Sequence, residues 1–152
     1  MKVLLYIIPL AICVTSFGQA ENAIRRRNFN HESGVAMRDF DPVSYFKGKP
    51  MKGDSKFSIA YQGITYYFVN QANKDEFKKA PAKYEPAYGG WCAYAMGLNG
   101  TQVKVDPTTY KIVGGKLYLF SNFNGKNMLL KWNENEKKLK VTADKNWDKK
   151  MH

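Results

Sequence analysis

The chain has 152 residues, with 24 Lys and Arg against 13 Asp and Glu, which gives a formal charge of +11 at neutral pH. This length suits one domain of ordinary size, which can bury a core without needing disulfides. The basic residues are spread along the chain, and their compact run, Arg25-Arg26-Arg27, comes with no recognisable RNA- or DNA-binding motif. We therefore expect a solvated basic surface and no nucleic-acid partner.

The first 20 residues are typical of a cleavable secretory signal peptide. Lys2 supplies the positive charge, residues 3–14 the apolar run, and Gly18-Gln19-Ala20 the small residues that precede a cleavage site. The apolar run is shorter than the roughly 20 residues that cross a hydrocarbon core, and Pro9 interrupts it. We expect cleavage between Ala20 and Glu21, and a mature chain that is periplasmic or secreted and has no transmembrane anchor.

The segment after the signal peptide carries few large apolar groups. Residues 21–38 contain several arginines and asparagines without a sustained helical or strand period, so we expect a flexible leader there. A single domain then covers residues 39–148. Its first segment, Asp41 to Phe46, is a short apolar element and a poor helix candidate, and residues 47–50 close it with a turn.

The clearest local pattern is a hairpin followed by a helix. Two β-rich runs at residues 57–61 and 64–69 are joined by Gln62-Gly63, a connection typical of a tight hairpin. Asn70 is a favourable N-cap for a helix from Gln71 to Ala80, which Pro81 ends.

The second half of the chain repeats this mixture of short elements. Residues 91–96 suit a short buried helix, although periodicity alone does not separate helix from strand in so short a run. Strands are predicted at residues 110–113 and 116–120, with an edge strand at residues 103–105, and the tail over residues 124–147 predicts one or two amphipathic helices. The sum is an α+β fold: a small antiparallel sheet of hairpins, short helices and a C-terminal helical tail.

Several motifs occur in a fixed order: Asp41-Pro42-Val43-Ser44-Tyr45-Phe46, Tyr61-Gln62-Gly63-Ile64-Thr65-Tyr66-Tyr67-Phe68, Tyr88-Gly89-Gly90-Trp91-Cys92-Ala93-Tyr94-Ala95 and Gly115-Lys116-Leu117-Tyr118-Leu119-Phe120. This set resembles the YHS-domain family, and in particular its exported, stand-alone branch, over most of residues 39–147. The resemblance implies a small hairpin-plus-helix unit related to treble-clef modules. It also implies metal binding through cysteines in many relatives.

The cysteine positions of the metal-binding relatives are altered in this chain. In those relatives one cysteine follows the Asp-Pro-Val element, and two more stand where the second strand enters the helix. Here the three positions hold Ser44, Val69 and Asn73. Serine and asparagine are weak ligands for soft metals and valine is none, so the resemblance implies the fold without the family's thiolate site.

Cys92 is the one cysteine that remains when Cys13 leaves with the signal peptide. A free cysteine most often packs as a small hydrophobe, but a lone thiol directly after Gly89-Gly90 also suggests contact with a ligand. We therefore expect a small ligand to bind near this thiol. The candidate ligand-binding residues are Cys92, Trp91, Tyr94, Tyr66, Tyr88 and Asp41.

A metal site built from other residues stays open at this point. Cys92 and Met96 would share one face of a helix, and together with His31 they would form a soft donor set suited to copper(I), with zinc as the other cofactor considered. Thiol catalysis would need a nearby base, and the histidines of the chain, His31 and His152, lie outside the predicted domain. We predict no catalytic residues.

The sequence thus favours an exported, non-enzymatic domain that binds a small ligand, or a metal, near Cys92. The partner is a small molecule or a component of the cell envelope, neither of which the sequence identifies. Two alternatives remain: a thiol-dependent redox protein or enzyme that uses Cys92, and a structural or interaction module in which the thiol is only packed. The accessibility of Cys92 discriminates between them, because a packed thiol reacts only after unfolding.

Overall fold

The computed structural model describes residues 14–152. Within this range the chain forms seven helices and eight short strands. The helices are α1 (Val14–Asn28), α2 (Pro42–Phe46), α3 (Gln71–Lys79), α4 (Pro81–Tyr84), α5 (Ala93–Asn99), α6 (Met128–Glu134) and α7 (Glu136–Met151). The strands are β1 (His31–Glu32), β2 (Val35–Ala36), β3 (Asp54–Tyr61), β4 (Ile64–Phe68), β5 (Asp106–Val113), β6 (Lys116–Phe120), β7 (Asn122–Phe123) and β8 (Lys126–Asn127). The predicted α+β class is confirmed.

The first sheet has the strand order β1-β2-β4-β3. The predicted hairpin is its centre: β3 and β4 pair antiparallel, and Gln62 and Gly63 take positive φ angles of 45° and 82° in the turn. One further pairing is parallel: β2 joins β4 through Val35 and Thr65.

Helix α3 follows the hairpin as predicted. The Asn70 side chain accepts a hydrogen bond from the Asn73 N–H at 2.9 Å and so caps the helix. Phe77 is fully buried, and its ring packs against Tyr66 and Phe68 on the inner face of β4. Alternate residues of β4 point inward, and Phe77 of α3 packs on them. This contact holds the helix against the hairpin.

The segment before the hairpin corrects one expectation. Residues 42–46, a poor helix candidate by sequence, form the one-turn helix α2. Its start is well specified: the Asp41 carboxylate accepts the N–H groups of Val43 and Ser44 at 2.7 and 3.3 Å, and Pro42 occupies the first turn, where no N–H is needed. Capping thus outweighs the weak helical preference of the apolar residues.

The second half contains the β5-β6 hairpin, which turns at Gly114-Gly115, and three helices. Gly100 follows helix α5 as its C-cap, with φ at 77°. It approaches α7 so closely that a Cβ on Gly97 would lie 2.6 Å from the Leu139 carbonyl oxygen. The tail forms two helices, α6 and α7, as expected. The predicted edge strand at residues 103–105 is not formed, although the Cys92 N–H bonds to the Val103 carbonyl at 3.0 Å.

The expected flexible leader is also corrected. Residues 21–38 continue α1 and then form β1, β2 and a short 3-10 turn at Met37–Asp39. Arg25 and Phe29 are buried, and the Phe29 ring packs on Trp147 of α7 at a centroid distance of 5.7 Å. The partners of this segment lie far along the chain, which is why its own sequence shows no period. Of the predicted signal peptide, residues 1–13 lie outside the described part.

Two clusters of buried side chains form the core. The larger one lies between the first sheet, α3 and the end of α1, and the smaller one between β6, α5, α6 and α7. None of the helices in residues 14–152 combines the length and the apolar character that crossing a membrane requires.

Candidate ligand-binding site

A cleft of about 610 Å³ opens where the two core clusters meet. It lies between α1, α7, the turn at Ala87–Gly90 and the β5-β6 hairpin. We call it the Tyr88 cleft. The side chains that define it chemically are Tyr88, Tyr118, Trp147, Glu85, Lys116 and Lys140.

The backbone at the edge of the cleft is in an unusual conformation. Tyr88 and Gly89 have positive φ angles of 54° and 59°, which a tyrosine seldom adopts. The turn is fixed by Asn30, whose backbone N–H bonds to the Gly89 carbonyl at 2.8 Å and whose side-chain amide bonds to the Gly90 carbonyl at 2.9 Å. A Cβ on Gly89 would lie 2.7 Å from the Trp147 ring, so only glycine fits there. The surroundings hold Tyr88 in a strained conformation, as is common at binding sites.

The floor of the cleft contains a buried charge cluster. One carboxylate oxygen of Glu85, Oε1, accepts hydrogen bonds from Arg25 Nη2 and from the Tyr66 hydroxyl, both at 2.5 Å. The Arg25 guanidinium also lies over the Phe29 ring, 4.2 Å from its centroid, and donates to the Gln62 carbonyl at 3.1 Å. Burial, and then the negative charge of Glu85, raise the pKa of the Tyr66 hydroxyl. Tyr66 therefore stays a neutral donor.

Two lysines give the cleft its charge. Burial lowers the pKa of Lys116, and the nearby Glu85 carboxylate partly opposes this shift. Lys140 donates to Asp144 Oδ2 at 2.7 Å, and this hydrogen bond raises the pKa of the lysine. Tyr88 donates its hydroxyl proton to the other oxygen, Asp144 Oδ1, at 2.8 Å. Burial first, and this bond second, raise the pKa of Tyr88.

The balance of these groups defines what the cleft can bind. The cationic side chains of Arg25, Lys116 and Lys140 outnumber the carboxylates of Glu85 and Asp144 by one. Both carboxylates already accept hydrogen bonds within the protein, whereas each lysine ammonium has donors to spare. Aromatic walls with spare cationic donors suit a planar molecule that carries a negative charge.

A second polar cluster lies at the start of α2. Asp41 is fully buried, and its other carboxylate oxygen, Oδ2, accepts the Val69 N–H at 2.9 Å and the Asn73 side-chain amide at 2.6 Å. Ser44 donates its hydroxyl proton to the Asp41 carbonyl at 2.6 Å. The three positions that hold cysteines in metal-binding relatives, residues 44, 69 and 73, therefore meet at the Asp41 side chain or backbone.

The residues at this point do not fit a metal ion. The donors present are a hydroxyl, an amide and a carboxylate that hydrogen bond to one another, and no thiolate is among them. The carboxylate accepts N–H groups with both oxygens, so its negative charge is already stabilised without a cation. Across residues 14–152, no three His, Cys, Asp or Glu side chains lie close enough together to hold a metal ion.

Comparison with known proteins finds a family match for one segment of the chain. The family model described as "YHS domain" matches residues 42–88. Residues 42–88 form a YHS domain. No curated protein and no solved structure matches the chain.

The YHS domain supplies one wall of the Tyr88 cleft. Tyr66, Glu85 and Tyr88 belong to it, whereas Lys116, on β6, comes from the part of the chain beyond the family match. The N-terminal helix α1 and the C-terminal helix α7 complete the cleft. The site is therefore built by the YHS domain together with the segments that flank it.

The six predicted ligand-binding residues are divided among separate places. Tyr88 lines the Tyr88 cleft. Tyr66 lies beneath the cleft and donates a hydrogen bond to Glu85, which lines it. Trp91 donates its indole N–H to the Asn28 carbonyl at 2.6 Å and so fixes the end of α1. Asp41 is buried in the YHS domain, and Cys92 and Tyr94 line a different, apolar groove.

The predicted metal set is likewise engaged in packing and local hydrogen bonds. Cys92 is fully buried, and its Sγ accepts the Ser121 N–H at 3.3 Å. Met96 is buried in the smaller core cluster. Both ring nitrogens of His31 are used: Nδ1 accepts the Gly34 N–H at 3.1 Å, and Nε2 lies 2.7 Å from the Arg26 carbonyl, to which it donates. No lone pair of the ring is free to bind a metal.

The charged residues of the cleft were not found from the sequence. Lys116, Lys140 and Asp144 look like solvated residues of a strand and a helix, because the residues that complete the cleft around them lie on other elements. Trp147 was assigned only to a helix face. One available signal was Glu85, an acidic residue followed by Pro86 just before the Tyr88-Gly89-Gly90 turn.

Proposed function

We propose that the chain is an exported, non-enzymatic YHS-domain protein that binds a small planar anion in the Tyr88 cleft. The observation that carries this proposal is the cleft itself: about 610 Å³ of space between aromatic rings, with Lys116 and Lys140 at its wall. A volume of this size is ordinary for small-molecule sites. The partly buried Lys116 ammonium gains most from an anion, because burial has removed part of its hydration.

Binding without catalysis fits the residues of the cleft. Among the residues that the structure describes, no histidine, serine, threonine or cysteine lines the cleft, so its described wall offers no hydroxyl or thiol nucleophile of the Ser, Thr or Cys type and no imidazole base. The tyrosines have raised pKa values and remain protonated, which suits them to donate hydrogen bonds and not to attack. The Glu85 oxygen Oε1 already accepts hydrogen bonds from Arg25 and Tyr66.

Export is proposed from the N-terminal pattern, and the docking of α1 supports it. Residues 18–21 are exposed, whereas Asn22 packs against the β3-β4 turn. A Cβ on Gly63 would lie 3.2 Å from the Asn22 carbonyl oxygen. Arg25, Arg26 and Asn28 then hydrogen bond to the body of the protein. Cleavage after Ala20 would leave these contacts in place.

Isothermal titration calorimetry with three probes tests the binding proposal. Phenyl phosphate, benzyl alcohol and benzylamine share an aromatic ring and differ in charge. We expect phenyl phosphate to bind best and benzylamine worst. Replacing the ammonium by a neutral amide in Lys116→Gln should weaken phenyl phosphate binding by about tenfold or more, since a partly desolvated charge contact is lost.

The matched control is Lys145→Gln, because Lys145 is an exposed lysine of α7, the helix that carries Lys140. This variant should bind phenyl phosphate as the wild type does. Equal binding of all three probes, or an equal effect of the two substitutions, would mean that the cleft is not an anion site. Failure of every probe to bind would favour a structural or interaction module instead.

A further inference from the structure

A second cavity of about 330 Å³ lies on the other side of α5, between that helix and the β7-β8 hairpin. We call it the Cys92 groove, after the buried thiol at its base. Its wall is mostly apolar, and the side chains that matter here are Tyr94, Leu98, Val103, Phe123, Lys126 and Met128. None of these residues lines the Tyr88 cleft, so this inference stands apart from the function proposed above.

Several polar groups at the base of the groove are already hydrogen bonded within the protein. Cys92 Sγ already accepts the Ser121 N–H, and the Ser121 carbonyl accepts the Met128 N–H at 2.9 Å. Asn99 Oδ1 accepts the Thr101 N–H at 3.1 Å. Since most of the wall is apolar, an apolar occupant gains most by lying there.

The rim of the groove exposes large apolar side chains to solvent. Leu98 is 59 % exposed and Phe123 is 44 % exposed. Exposing such large apolar side chains to water is unfavourable. An apolar chain lying between them would cover both.

The lining of the groove includes one positive charge. Lys126 is the charged residue among those that line it, it is exposed, and among the described residues it forms no ion pair. An apolar groove with an ammonium that has no ionic partner in its lining is complementary to a molecule with an apolar tail and an anionic head.

We propose that the Cys92 groove binds a single-chain anionic amphiphile of the fatty-acid type. The tail lies between Leu98 and Phe123 above the buried thiol, and the carboxylate contacts Lys126. Binding is non-covalent, because the Cys92 sulfur is fully buried. Each methylene added to the tail should strengthen binding by about fourfold until the groove is filled.

Methyl NMR of the full chain with ¹³C-methyl methionine tests this proposal, with sodium decanoate as the probe. Met128 lines the Cys92 groove and Met151 lines the Tyr88 cleft, so the two methyl signals report on the two sites separately. Met51, which is exposed and lines neither cavity, serves as a reference. We expect decanoate to shift the Met128 signal in a saturable way and to leave Met151 unchanged.

Two variants test the parts of the groove. Lys126→Glu should weaken decanoate binding by about tenfold and should favour decyltrimethylammonium, which has the same tail and a cationic head. Leu98→Gln should weaken both amphiphiles. Leu130→Gln is the control, because Leu130 is also exposed, at 62 %, but does not line the groove. All three positions are on the surface, so the fold should tolerate the changes.

Several results would overturn the proposal. A Met128 signal that does not move with decanoate would exclude the groove as a site for such a chain. Equal affinity for decanoate and decyltrimethylammonium would exclude the role of Lys126. Binding to phosphatidylglycerol vesicles without binding of monomeric decanoate would show that this face contacts a bilayer instead of holding a single chain.

Discussion

Asp41 illustrates how a single residue replaces a metal site by hydrogen bonds. Its carboxylate accepts N–H groups from Val43, Ser44, Val69 and Asn73, and so connects the start of α2 to the start of α3. In the metal-binding relatives that the sequence resembles, cysteines at positions 44, 69 and 73 would bring the same segments together around a metal. A buried anion with this many donors is stable without a cation.

Asp41→Ala should therefore be costly. The substitution leaves several buried donors without an acceptor and removes the cap of α2, so we expect the free energy of unfolding to fall by about 3 to 5 kcal/mol. Urea denaturation measures this loss. Asp75→Ala, on the exposed face of α3, is the matched control and should change stability by less than about 0.5 kcal/mol. A small loss for Asp41→Ala would mean that the carboxylate is not the centre of this cluster.

Cys92 separates the binding proposal from a thiol-dependent enzyme. Because the sulfur is fully buried and accepts the Ser121 N–H, we expect iodoacetamide to react with it only after unfolding. Mass spectrometry of the protein with and without urea checks this. Rapid alkylation of the folded protein at neutral pH would revive the thiol-dependent alternative.

At the scale of elements, the sequence correctly predicts the turns and caps that depend only on neighbouring residues. The turns at Gln62-Gly63 and Gly114-Gly115 and the cap at Asn70 act within a few residues of their own position, and the structure confirms all three. Helix α2 was missed because a cap overrides a weak local preference. Helix α1 was missed beyond residue 20 because the groups that bury Arg25, such as Glu85, lie 60 residues away.

Arg25 anchors α1 to the YHS domain, and its removal tests that role. Arg25→Met leaves the Glu85 carboxylate buried without its ionic partner, so we expect a loss of about 3 to 5 kcal/mol in the free energy of unfolding. Arg27→Met is the matched control, since Arg27 is exposed on the same helix. Similar denaturation midpoints for the two variants would argue that α1 is not anchored through Arg25.

The candidate site was predicted only in part, for a related reason. Tyr88 stands in a glycine-rich motif that draws attention in the sequence. Lys116, Lys140 and Trp147 gain their role from three elements that meet in space, and nothing in their immediate sequence distinguishes them from surface residues. Cys92 drew attention as the lone thiol, yet its burial assigns it to the core beneath an apolar groove.

At the scale of the whole molecule, the export proposal predicts the mass of the mature protein. If the chain is processed as proposed, the protein recovered from the periplasm or the medium should begin at Glu21, and intact-mass spectrometry should find no residue of the first 20. Its denaturation midpoint should match that of the full chain, because residues 18–21 are exposed and the contacts of Arg25, Arg26 and Asn28 lie beyond the cleavage point. Recovery of the unprocessed chain from the cytoplasm would contradict export.

The central claim is that the Tyr88 cleft binds an anion through Lys116, and its pH dependence tests this most directly. Burial lowers the pKa of Lys116, so the ammonium loses its proton at a lower pH than an exposed lysine does. Phenyl phosphate keeps its full charge above about pH 7, so any loss of affinity on raising the pH reflects the protein.

The measurement is the Met151 methyl shift during titration with phenyl phosphate, near neutral pH and at about pH 10. We predict saturable binding near neutral pH, clearly weaker binding at the higher pH, and little difference between the two in Lys116→Gln. A Met151 signal that does not respond, or an affinity that is the same at both pH values in the wild type, would contradict the account.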